Sequence, residues 1–283
     1  MRTQHTAHSL PAFPVYSSAF VSPNEFVLGG GGGQSKTGIK NKILSILDYP
    51  TLEPAGPSIH LDKGEIFDAT FSSKTLVVAS TVNLFAYALS SDEDGGKEKE
   101  GKPAALELLK TVDRPELPGD DAGGSFRAVR YHPQDEKVLY TVVNTVPPRT
   151  RKKSSPRRAF LCKWDTDTWK VTFKRKISDR QVTCFDISPD GKLIAFGSSD
   201  LTVGVVDAHT FAPLLTILKS HDFPPTTLRF NPTSDMLISG SADNTVRIVA
   251  IPSTLGVTSW STWILVVVAL LIALFAVLAQ QMQ

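Results

Sequence analysis

The segment Val182-Thr183-Cys184-Phe185-Asp186-Ile187 leads through a Ser-Pro-Asp-Gly turn into Leu193-Ile194-Ala195-Phe196-Gly197-Ser198-Ser199-Asp200, and then into Thr202-Val203-Gly204-Val205-Val206-Asp207. The same order returns as Thr227-Leu228-Arg229-Phe230-Asn231-Pro232, Met236 to Asp243, and Thr245-Val246-Arg247-Ile248-Val249. Pro189 and Pro232 stand one period apart, within the roughly 40 to 45 residues of a four-stranded propeller blade. Short apolar runs at such a period, punctuated by turn residues, bury their faces by stacking on neighbouring copies. A chain built this way is all-β.

The pattern extends upstream. Ile66 to Ser72 leads to Leu76-Val77-Val78-Ala79-Ser80 and Val82 to Tyr87. Phe126 to Pro133 leads to Val138 to Val143 and, after a long loop, to Phe160-Leu161-Cys162-Lys163-Trp164-Asp165. Pro14 to Phe20, a Ser-Pro-Asn-Glu turn and Phe26-Val27-Leu28 begin a first copy, after an irregular lead-in over residues 1–13. Five blade cores result, and they resemble WD-repeat blades, with Trp164-Asp165 as the one Trp-Asp dipeptide. The last blade lacks an outer strand after Val249-Ala250-Ile251, and residues near the N-terminus are expected to supply it. The propeller is expected over residues 1–252. Two insertions interrupt it: 91–102, a mixed-charge run without apolar residues, and 147–158, which packs six basic residues into Arg149 to Arg158. The second lacks interleaved aromatic residues that would stack on bases, so a solvated loop is expected and no nucleic-acid partner.

Gly29-Gly30-Gly31-Gly32-Gly33-Gln34-Ser35-Lys36-Thr37-Gly38-Ile39-Lys40-Asn41 separates Phe26-Val27-Leu28 from Ile43-Leu44-Ser45-Ile46-Leu47. Five glycines lose more freedom on ordering than any other residues, so such a run belongs where backbone turns sharply or approaches a ligand or partner closely. A phosphate-binding loop is one reading, but Ser35 replaces the glycine that should precede the lysine, and Gly38 and Asn41 interrupt the helix that should follow. A protruding loop whose carbonyls hold a cation, or whose tip meets a protein, fits better. A surface loop without a role is the plain alternative.

The net charge of +2 gives no general affinity for nucleic acid. Six scattered histidines show no metal-ligand spacing, and Cys162 and Cys184 suggest a reducing compartment without a disulfide framework. No apolar run of signal-peptide length opens the chain, so the soluble part is expected in the cytosol. Trp263 to Ala279 is unbroken apolar sequence, and with Trp260, Ser261 and Thr262 it reaches about the 20 residues that span a bilayer. A transmembrane helix is therefore expected over 260–279, after a linker at 253–259 and before a lumenal tail at 280–283. Its length suits a thin membrane such as the endoplasmic reticulum.

The loop residues Gly30 to Gly33 and Lys36-Thr37-Gly38-Ile39-Lys40-Asn41-Lys42, preceded by Phe13-Pro14-Val15-Tyr16, resemble one family. It is the endoplasmic-reticulum WD-repeat guanine-nucleotide exchange factors of the small GTPase that initiates COPII coats, to which prolactin regulatory element-binding protein belongs. The resemblance implies a seven-bladed propeller, of which about two blades are absent here, the gap falling between Leu106 to Lys110 and Ser125. It implies a non-enzymatic exchange factor, single-pass in the endoplasmic-reticulum membrane with its N-terminal domain cytosolic. It also implies a GTPase-contact loop of Lys36, Thr37, Gly38, Ile39, Lys40 and Asn41, braced by a potassium ion on the backbone of Gly30, Gly31, Gly32 and Gly33. A tail-anchored docking scaffold without exchange activity is the alternative.

Overall fold

The computed structural model describes residues 5–9, 15–20, 26–30, 43–44, 59–60, 66–73, 75–90, 105–119, 123–146, 157–253, 255 and 266–273. The chain divides into two compact units, Met1–Ile251 and Pro252–Gln283.

The first unit is built of small antiparallel sheets. Four have four strands: β6 (Ile66–Phe71) to β9 (Ala105–Val112), with β7 (Thr75–Ser80) and β8 (Leu84–Ser90) between; β10 (Gly123–His132), β11 (Asp135–Val146), β12 (Ala159–Asp165) and β13 (Lys170–Ser178); β14 (Val182–Ile187), β15 (Leu193–Ser198), β16 (Val203–Asp207) and β17 (Pro213–Ile217); and a last sheet of β18 (Pro225–Phe230), β19 (Met236–Ser241), β20 (Thr245–Ala250) and β1 (His5–Ser9). Two pairs complete the described strands, β2 (Val15–Phe20) with β3 (Phe26–Gly30), and β4 (Ile43–Leu44) with β5 (Ile59–His60). Four of the five expected blades are thus whole sheets, and the first is present as two separate pairs. The strands flanking the glycine run lie in different sheets.

The lead-in is not irregular throughout: β1 pairs antiparallel with β20, His5 opposite Val249 and Ser9 opposite Thr245. The start of the chain supplies the outer strand that the end lacks. β13 is the other strand that alternation does not announce. Its residues Lys170, Lys174, Arg175 and Lys176 are exposed, as befits an outer strand that discourages further pairing.

Apolar packing joins neighbouring sheets. Val77, Leu84 and Ala86 meet Phe126, Leu139 and Trp164 in one cluster, and Tyr140, Val142 and Leu161 meet Phe185, Ile194 and Phe211 in the next. Trp164 is buried and its Nε1–H donates to Thr141 Oγ1 at 2.9 Å, while Asp165 Oδ1 accepts the Thr168 amide at 2.8 Å to close the turn into β13. The same device recurs between β16 and β17, where Asp207 Oδ1 accepts the Thr210 amide at 2.7 Å. Both thiols are free, and burial pushes Cys162 up to about 12 and Cys184 up to about 11, so neither ionises near neutral pH.

In the second unit a helix, α1, covers residues 266–273, all exposed within that unit. Among the described residues no helix is long and apolar enough to cross a membrane. The rest of the expected span over 260–279 lies outside the described residues.

Candidate functional site

Side-chain contacts fix the direction of the innermost strands. Asp68 of β6 accepts the Val129 amide of β10, and Thr70 Oγ1 accepts that of Tyr131. Arg127 and Arg130 of β10 reach Thr183 and Asp186 of β14. Asp186 and Ser234 then link β14 to β18 and the turn beyond it. Residue numbers rise together in each pair, so β6, β10, β14 and β18 run parallel to one another.

Their starting ends define one face of the sheets. This face carries the turns into each third strand, as the Ser199 amide to Gln181 carbonyl bond and the Ser220 amide to Leu201 carbonyl bond show. β1 also ends there, since Ser9 lies opposite Thr245. β2 begins six residues later, at Val15, and packs on β18 and β19. β3 returns antiparallel and ends at Gly30, opposite Val15. Gly30, the last residue of β3, is where the glycine run leaves the sheet, opposite the first residue of β2. The expected contact residues Lys36, Thr37, Gly38, Ile39, Lys40 and Asn41, and Gly31, Gly32 and Gly33 of the expected potassium site, lie outside the described residues. So do the insertion 91–102 and most of 147–158. At the end of the latter, Arg158 Nη1 donates to the Pro118 carbonyl at 3.1 Å.

A cluster that sequence reasoning missed lies along the innermost strands. Asp68 pairs with Arg130 and also accepts the Val129 amide at 3.0 Å. Asp186 Oδ2 accepts the Phe230 amide at 2.9 Å, and its Oδ1 lies 3.6 Å from Arg229 Nη1 and 4.0 Å from Arg130 Nε. Each aspartate thus holds a backbone amide and an arginine of the following sheet. Burial pushes the Asp186 carboxyl up, while Arg229 and Arg130 pull it down. Alternation alone shows none of this, because the partners stand 43 (Asp186 and Arg229) to 62 (Asp68 and Arg130) residues apart.

One layer nearer the starting face, Arg127 stacks on Phe67, 5.1 Å from guanidinium carbon to ring centre, and donates to the Thr183 carbonyl. Arg127, Arg130, Arg229, Asp68 and Thr226 line a cavity of about 180 Å3. No group of three or more metal-ligating side chains occurs among the described residues.

With this geometry, the chain matches the model of the WD domain, G-beta repeat, over residues 170–207 and 212–249. It is 29% identical over 115 residues to SEC12-like protein 2 of Arabidopsis thaliana, covering 41% of this chain and 27% of that protein. It is 22% identical over 339 residues to guanine nucleotide-exchange factor SEC12 of Candida glabrata, covering 88% of this chain and 73% of that protein. A third match, 35% identical over 77 residues, is to the periodic tryptophan protein 2 homolog of Schizosaccharomyces pombe, over 27% of this chain and 9% of that one. The alignment with the Candida protein is longer than the chain's 283 residues, so that relative carries segments this chain lacks.

Proposed function

We propose that this chain, a WD-repeat relative of the SEC12 exchange factors, promotes guanine-nucleotide release from the small GTPase that begins COPII assembly at the endoplasmic reticulum. The observation that carries the reading is that the glycine run departs at Gly30, the end of a strand whose partner β2 packs on β18 and β19. A loop leaving a packed sheet edge has a fixed base, and its residues 31–42 are long enough to enter a partner's surface.

Exchange needs no bond chemistry. The factor binds the nucleotide-free GTPase more tightly than the loaded one, and by reciprocity the GTPase then holds nucleotide less tightly. The loop must hold its shape before contact, because ordering glycine backbone on binding costs about 1 to 2 kcal/mol per residue. Backbone carbonyls of Gly30 to Gly33 are oxygen donors suited to a hard monovalent cation such as potassium, which would supply that order. Asn41 offers a side-chain amide to the GTPase and Ile39 an apolar contact. The apolar run Trp263 to Ala279 fixes the chain in the membrane as a single span.

The test is nucleotide release from the coat-initiating GTPase with the full chain in detergent, in potassium and in sodium. Release is expected to accelerate in potassium more than in sodium, and Asn41→Ala to slow it about tenfold or more. Unchanged release would leave a docking scaffold.

A further inference from the structure

The cavity beside Arg127 carries more positive than negative charge. Arg127, Arg130, Arg229 and Asp68 line it, and the Asp186 carboxylate lies behind Arg130 and Arg229. Asp68 is matched with Arg130, and Asp186 with Arg229 and Arg130. Arg127 has no carboxylate partner among the described residues. Its contacts are a neutral carbonyl, that of Thr183, and the face of Phe67. Its level on β10 is that of Thr183 on β14, nearer the starting ends than the Asp68–Arg130–Asp186–Arg229 layer. The unmatched cation therefore lies toward the starting face of the sheets.

We infer that this cavity is an oxyanion-binding site, with Arg127 as the principal ligand and Arg229, whose side chain is 37% exposed, as the second. Its ligand is a carboxylate or phosphate oxygen pair. A guanidinium presents parallel N–H donors that match such a pair, and stacking on Phe67 holds the plane before the ligand arrives. A half-buried cation with only a carbonyl for partner gains more from an anion than a solvated one does, since the surrounding dielectric is lower. The oxyanion has two possible sources. One is an aspartate or glutamate side chain of a protein docked on the starting face; the other is free phosphate. The protein source rests on the exchange reading, and the phosphate source does not.

Two measurements separate these sources, using the full chain in detergent, with Arg127→Gln and, as control, Arg180→Gln, an exposed arginine of the same face. The first is thermal stability in sodium phosphate against sodium chloride at equal ionic strength. The second is binding of the nucleotide-free GTPase. Phosphate stabilisation that Arg127→Gln abolishes and Arg180→Gln keeps establishes the site whether or not exchange activity exists. Absence of phosphate stabilisation, with GTPase binding weakened about tenfold by Arg127→Gln alone, assigns it to a partner's carboxylate. Phosphate stabilisation equal in all three proteins shows adventitious surface binding and overturns the site. So does the absence of both effects.

Discussion

His221 stands between β18, β19 and β20 with both ring nitrogens engaged. Nδ1 lies 2.8 Å from Thr245 Oγ1 and 3.2 Å from Asp243 Oδ2, and Nε2 lies 2.9 Å from Ser239 Oγ. Thr245 donates its hydroxyl to Asp243, so it accepts from Nδ1–H, which leaves Nε2 to accept from Ser239. Burial lowers the pKa of His221, and the pull of Asp243 does not fully restore it, so the ring is neutral in the fold. A base with a depressed native pKa binds protons more readily when unfolded. Stability is therefore full above the unfolded value of about 6.5 and falls as pH drops below it. The midpoint of urea unfolding is expected to fall between pH 7.5 and pH 5.5, and His221→Gln to flatten that slope while lowering stability throughout. At Asp186, replacement by alanine leaves the Phe230 amide without its acceptor and Arg229 without its carboxylate, while Arg130 keeps Asp68, at a cost of about 3 kcal/mol. Asp186→Asn keeps one acceptor oxygen, and its urea midpoint should lie between those of the parent and the alanine variant.

At the scale of elements, close approach of strands sets the tolerances. A Cβ added at Gly197 of β15 would lie 2.6 Å from Cys184 Sγ and 2.8 Å from Pro225 Cβ. Gly197→Ala must therefore push β14 and β18 apart, and a loss of about 1 to 3 kcal/mol in chemical denaturation is expected. Strands β14 to β20 were legible because apolar runs, an Asp-bearing turn and a fixed period agree there. β13 was not, since its outward lysines and arginine hide the alternation. Nor was β1, whose polar His-Thr-Ala-His-Ser acquires meaning only through pairing with residues 245–249. The glycine run was visible at once, whereas Arg127, Arg130 and Arg229 were not, because single charges within strands look like solvated positions until neighbouring sheets close on them.

At the scale of the whole molecule, β6–β9 and β10–β13 meet with the same fastening as β14–β17 and the last sheet. Asp68 takes the Val129 amide and Arg130, as Asp186 takes the Phe230 amide and pairs with Arg229. The gap expected between Lys110 and Ser125 thus falls at a junction whose two sides are fastened together. Asp68→Ala is expected to weaken this junction specifically: hydrogen exchange should quicken in β6 and β10 while β19 stays protected.

The union of β1 with β20 has a consequence for how such a chain is made. A ribosome releases His5 to Ser9 long before it reaches Thr245, so β1 must wait, unpartnered, for a strand that emerges far later. That clasp cannot shut until residues 245–249 have emerged, and a nascent chain halted before residue 245 offers an open rim to chaperones or to another nascent copy.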